Sequence, residues 1–184
     1  MSVQIDDVDY GPLTPLLGRW HGDRGMDRAP EPDGIEQNEY YETLLVEAAG
    51  LTTNAEEQEL VAVRYHQLVS RKSNDKVFHN ETGYWMWEPA TGLLMQSYSI
   101  PRGISVLAGG EVTENGNLQV RAELDHPHWG IVQSPFMAQK AKVLAFDRTL
   151  SFEGEELVYE QNTLLDIYGA QFDHRDNNRL QRSN

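Results

Sequence analysis

The chain has 184 residues, which suits one domain. Its formal net charge of −14 excludes the basic face that nucleic acid needs and disfavours an anionic membrane surface. There is no cysteine, which excludes disulfides, thiolate metal sites and a cysteine nucleophile.

Residues 1–11 read as a loose N-terminal arm, acidic and without an apolar signal core, so the expected location is cytoplasmic. No run approaches the roughly 18 apolar residues of a membrane span. Pro12 to Leu17 suits one helical turn, with Pro15 tolerated early in it. A glycine-spaced strand follows, Gly18-Arg19-Trp20-His21-Gly22. Residues 23–34, rich in glycine, proline and charge, are expected as a mobile loop beside a pocket mouth.

From Glu36 onwards the pattern is β. Asn38, Tyr40, Glu42, Leu44 and Val46 share one face, and Val61, Val63, Tyr65, Gln67 and Val69 share another. Between them, Ala55 to Leu60 favours a helix locally but is too short to stand alone. Strands are expected over Lys76–Trp87, Leu93–Ile100 and Ile104–Val112. Asn115-Gly116 is a strong hairpin signal, with the chain returning from Leu118. Lys140–Phe152 and Glu156–Tyr168 form the final hairpin around Glu153-Gly154. The spacing predicts an all-β fold, an antiparallel up-and-down barrel of about ten strands with a short N-terminal helical turn, filling residues 1–184 as a single domain.

Six histidines are the best available soft-metal or heme ligands. His126 and His128 in a loop are a poor chelate and read as solvent-facing imidazoles. Strand alternation puts His79, Glu81, Gly83, Trp85 and Trp87 on one face. If that face is interior, an imidazole and a carboxylate lie among indoles, a pocket suited to a flat, largely apolar ligand. If it is exterior, both polar groups are solvated. His174, in Phe172-Asp173-His174-Arg175-Asp176, has two readings. It is an imidazole oriented by neighbouring aspartates, or part of a polar turn after the last strand. No P-loop, GxGxxG or GxSxG motif occurs.

Four segments together, Leu17-Gly18-Arg19-Trp20-His21-Gly22, Phe78-His79-Asn80-Glu81-Thr82-Gly83-Tyr84, Ile100-Pro101-Arg102-Gly103-Ile104 and Phe152-Glu153-Gly154-Glu155-Glu156, resemble the nitrobindin-like heme-binding β-barrels. These share their shape with fatty-acid-binding proteins and lipocalins. Arg24 stands where the third glycine of the family start falls, and Gly25 comes one place later. The resemblance implies ferric heme b in the barrel mouth, reaction with nitric oxide, and isomerisation of peroxynitrite to nitrate. It makes His174 the candidate axial ligand of the heme iron and His79 the distal histidine. Trp20 and Trp85 would pack the cofactor. The alternative is a non-heme carrier of a small hydrophobic or fatty-acid-like ligand, with Arg64, Arg102 or Lys142 meeting a carboxylate. Neither reading involves nucleic acid or membrane insertion, and a homodimer is compatible with both.

Overall fold

The structure is a computed structural model that describes residues 4–5 and 7–183. Its strands, in chain order, are β1 (Gln4–Ile5), β2 (Val8–Asp9), β3 (Gly18–Glu31), β4 (Gly34–Asn54), β5 (Gln58–Arg71), β6 (Val77–Trp87) and β7 (Leu94–Ile100). They continue with β8 (Ile104–Val112), β9 (Leu118–Glu123), β10 (Ile131–Gln133), β11 (Ala141–Glu153), β12 (Glu156–Ile167) and β13 (Ala170–Arg182). A 3₁₀ helix spans Gly11–Leu16, and one short α-helix, α1, spans Pro135–Lys140.

The barrel runs β8-β7-β6-β5-β4-β3-β13-β12-β11-β9, and β9 pairs back onto β8 to close it. All its pairings are antiparallel, so ten strands form the ring, as the spacing predicted. Closure leaves the ring without a free edge. The short β10 pairs with β8 beside the ring. The Gln133 amide then bridges to β11, accepting from the Val143 N–H at 2.9 Å and donating to the Val143 carbonyl at 3.1 Å. No described helix is long and apolar enough to cross a membrane.

The 3₁₀ helix plugs one end. Leu13 and Leu16 are buried there, and the indole N–H of Trp20 donates to the Leu16 carbonyl at 2.8 Å. Gly11 has φ +47° and lies so close to the Trp87 ring that a Cβ would sit 2.4 Å from it. Above the plug the core holds Val63, Leu94, Ala108, Leu118, Phe146 and Leu180. Buried and exposed positions alternate strictly along β9, as a filled barrel interior requires.

Two expectations need correction, those for residues 23–34 and for His174, whereas Ala55–Leu60 forms no helix of its own, in line with its shortness. Residues 23–34 are not an irregular loop. They continue β3 and turn tightly at Pro32-Asp33 into β4, where Glu31 pairs with Gly34. Glycine, proline and charge hide the strand because one of its faces meets water and the other meets polar groups. His174 does not follow the last strand in a polar turn. It lies inside β13, an additional long strand that pairs with β12 and β3. Of the arm expected over residues 1–11, residues 1–3 and 6 fall outside the described residues. Elsewhere in that span β1 pairs with β2, and Tyr10 is buried, with its hydroxyl accepting the Gly50 N–H at 3.0 Å.

The β3–β4 register shifts between Gly22 and Gly25, which pair with Glu42 and Tyr40. This β-bulge explains the displaced glycine of the N-terminal motif. Arg24 points outward to an ion pair with Glu156. Gly25 takes the close approach instead, where a Cβ would lie 2.0 Å from the Tyr40 ring.

Candidate functional site

The end opposite the plug holds a cavity of about 250 Å³. β6 and β13, which sequence reading treated separately, each supply polar groups to it. On β6 the interior face carries His79, Glu81, Gly83 and Trp85, so the interior alternative for this strand is the observed one. On β13 alternation turns Phe172, His174, Asp176, Asn178 and Leu180 away from the exposed Asp173, Arg175 and Asn177. His79 and His174 thus line one cavity, together with Asp27 of β3 and Asp176. The apolar wall includes Phe78, Ile100, Ile104, Met137, Val143 and Leu165.

His174 is held by carboxylates. Its Nε2 is 2.7 Å from Asp27 Oδ1 and 3.6 Å from Asp176 Oδ1. Burial opposes the imidazolium, but the Asp27 hydrogen bond and the charges of Asp176 and Asp27 prevail, and the His174 pKa is raised. For Asp27, burial favours the neutral acid. The hydrogen bond and charge of His174, with help from Asn38, outweigh it and hold the carboxyl below its usual range. Asp176 is pushed up to about 6, by burial first and then by the neighbouring Asp27 charge, against the pull of His174.

His79 belongs to a second network. Its Nε2 lies 3.2 Å from Glu81 Oε2. Arg148 donates to both oxygens of Glu81, at 2.8 and 3.2 Å, and the Tyr65 hydroxyl donates to Oε1 at 2.5 Å. Gln96 donates to that hydroxyl at 2.7 Å. The Arg148 guanidinium holds Glu81 ionised well below the usual carboxylate range, although burial works the other way. Arg148 also bonds Gln161, which donates to Asp176 Oδ2 at 3.3 Å, so the two networks meet.

A third buried carboxylate, Glu42, has no cation in contact among the described residues. It accepts from Gln67 at 2.6 Å and from Tyr159 and Asn178 at 2.8 Å each. Burial dominates these hydrogen bonds, and its pKa is raised.

The sequence profile of the THAP4-like, heme-binding beta-barrel domain matches residues 9–182. The chain belongs to this family. The resemblance read from the four motif segments is thereby confirmed. Among solved structures, this THAP4-like barrel is similar to Rv2717c from M. tuberculosis, with a TM-score of 0.70 and 25% sequence identity, over 95% of this chain and 98% of that one. Comparison with curated protein sequences gives no match.

The structure brings together His79 and His174 and keeps Trp20 and Trp85 apart from them. Neither indole is among the residues lining the cavity. Trp20 packs at the plugged end under the Arg182 guanidinium, 4.2 Å from the ring centroid. Trp85 borders a separate void of about 20 Å³ beside Leu16 and Leu157. Their strands are right and their height along the barrel is wrong, because face alternation fixes direction and not depth. Of the three basic candidates, Arg102 lines the cavity; Arg64 faces outward to Glu47, and Lys142 is not among the lining residues. His126 closes a turn, its Nδ1 accepting the N–H groups of His128 and Trp129 at 3.2 and 2.9 Å.

Sequence reading missed Asp27 and Arg148. Asp27 was hidden inside the supposed loop. For Arg148 a signal existed: Phe146, Arg148 and Leu150 share one strand face, and an arginine between two core residues needs a buried acid.

Proposed function

We propose that this barrel is a ligand-binding protein that takes heme b at its cavity mouth, where His174 would hold the iron. The observation that carries the reading is an imidazole on β13 facing a cavity with an apolar far wall. Family membership supports the choice of heme. The donor set fits the group with one exchange. Iron needs a free lone pair on Nε2, whereas that nitrogen now donates its proton to Asp27 at 2.7 Å, so both the proton and the contact must be given up. Asp27 and Asp176 remain beside the ring as acceptors, and His79, held by Glu81, faces the same space. Phe78, Ile100 and Leu165 exclude water from it. Bound ferric heme would supply a centre for nitric oxide and for isomerisation of peroxynitrite to nitrate, making the protein a peroxynitrite isomerase. Hemin titration tests the reading: a Soret band saturating at one heme per chain and absent in His174→Ala is expected. A band indifferent to that change overturns it.

A second reading is a carrier of a small apolar ligand without iron. Two observations favour it. The cavity of about 250 Å³ is smaller than the roughly 300–1,000 Å³ typical of sites for drug-sized ligands, let alone a porphyrin. Arg71 and Arg102 also line the cavity and suit a carboxylate headgroup. Displacement of a fluorescent fatty-acid probe, unchanged in His174→Ala, would favour this reading.

A further inference from the structure

We propose that Asp27, His174 and Asp176 form a binding site for one divalent transition-metal ion of the manganese–iron–cobalt–zinc class. Its remaining coordination positions would open into the cavity. The proposal rests on reading this cavity as the ligand site. It names an occupant other than heme, because both need the same His174 nitrogen.

Donor geometry comes first. Metal–ligand bonds of about 2.1 Å at right angles set neighbouring donor atoms about 3 Å apart. Here His174 Nε2 lies 2.7 Å from Asp27 Oδ1 and 3.6 Å from Asp176 Oδ1. One donor atom from each of the three residues lies within 4.8 Å of the others. The two edges at His174 bracket the spacing of one face of an octahedron, and the third edge is at most 4.8 Å. The mixture of one imidazole and two carboxylates suits this class of ions rather than calcium or copper.

The supporting shell is the independent observation. Each carboxylate has its far oxygen fixed by a side-chain amide, Asn38 Nδ2 to Asp27 Oδ2 at 3.2 Å and Gln161 Nε2 to Asp176 Oδ2 at 3.3 Å. Each amide is itself oriented by an arginine donating to its oxygen. Arg71 Nε bonds Asn38 Oδ1 at 3.3 Å, and Arg148 Nε bonds Gln161 Oε1 at 2.8 Å. The arginines therefore decide which end of each amide faces the carboxylate. Two parallel relays, from different strands, leave both Oδ1 atoms directed at His174. A salt bridge for stability alone needs neither relay, whereas outer-shell groups that orient ligands are the usual company of a metal.

Position supplies the rest. β3 and β13 are adjacent in the ring, and β7 and β8 lie across it. The open side of the three donors thus faces Ile100 and Ile104 over the cavity. A bound ion would keep exchangeable positions in a space walled mainly by apolar groups.

The test is titration of chelator-stripped full-length protein with Mn²⁺ by calorimetry and with Co²⁺ by visible absorption. One ion per chain is expected. Asp27→Asn and Asp176→Asn should each weaken binding at least tenfold, and Gln161→Leu by 10- to 100-fold, the range for lost outer-shell partners. Stoichiometry well below one, or affinity unchanged in both aspartate variants, overturns the proposal and assigns the ions to the acidic surface. A wild-type measurement covers variants that fail to fold: saturating Mn²⁺ should slow hemin uptake, and hemin uptake indifferent to Mn²⁺ also overturns it. Loss of the Soret band in His174→Ala with heme retained in Asp27→Asn speaks to the heme reading alone. The two ideas therefore fail separately.

Discussion

Asp27 and His174 are separated by 147 positions in the chain and by 2.7 Å across the β3–β13 seam. Any ligand that uses the imidazole must first break this contact. A hydrogen bond to a charged group contributes about 1.5–3 kcal/mol. Asp27→Ala should therefore tighten hemin binding roughly 10- to 100-fold, at about 1.4 kcal/mol per factor of ten. Soret titrations of wild type and variant check this, and weaker binding in Asp27→Ala would show that the aspartate assists the ligand.

Glu81 and Arg148 are a buried pair, with side chains 1% and 6% exposed. Arg148→Met leaves the Glu81 charge without its partner, and removing one member of such a pair costs about 3–5 kcal/mol. Urea unfolding should show that loss, and the double variant Glu81→Leu/Arg148→Met should recover most of it. Failure of the double variant to recover would place the value of the pair in its bonds to Tyr65 and Gln161.

Glu42 predicts an opposite pH dependence from Glu81. The folded pKa of Glu42 is raised, so the unfolded chain gives up this proton first. Its contribution to stability falls as pH rises from the unfolded pKa through the folded one. Glu81 is lowered, so its contribution is present above the unfolded carboxylate pKa and is lost as pH falls towards the folded value. Urea midpoints of Glu42→Gln between pH 4 and 8 should fall less with rising pH than those of wild type. Parallel curves would mean that Glu42 has the same pKa in the folded and unfolded chain and would overturn the raised value.

The displaced motif glycine separates two substitutions one residue apart. Gly25→Ala drives a methyl into the Tyr40 ring and should cost about 1–3 kcal/mol, the usual range for overpacking. Arg24→Gly removes an ion pair whose arginine is 49% exposed and should stay within about 1 kcal/mol of wild type. Thermal unfolding of both variants distinguishes them, and equal losses would refute the register shift.

Much of the barrel was legible because alternation is a local signal. The faces of β4, β5 and β6 followed from which residues repeat every second place, and the observed burial agrees. The site was less legible because it is built from partners far apart in sequence. His79 could be grouped with Glu81 from their shared strand, yet whether that face turns inward, and the binding of Glu81 to Arg148, depend on how the ring closes. Asp27 was illegible for a different reason. A strand whose inward face carries glycine and aspartate has no apolar period to detect. Trp20 and Trp85 show the complementary limit: alternation turns large aromatics inward without fixing their height, and both fill the barrel near the plug, away from the cavity.

The bulge between Gly22 and Gly25 has a consequence for the cavity. A strand wall has parity: before the bulge the even positions Trp20 and Gly22 face inward, and after it the odd positions Gly25 and Asp27 do. Were the same residues to alternate regularly past Gly22, with no bulge to absorb the extra one, the inward places at this height would fall to Met26 and Arg28. An arginine would then stand beside His174 where an aspartate stands now. The sign of the charge next to the imidazole is thus set by the bulge between Gly22 and Gly25.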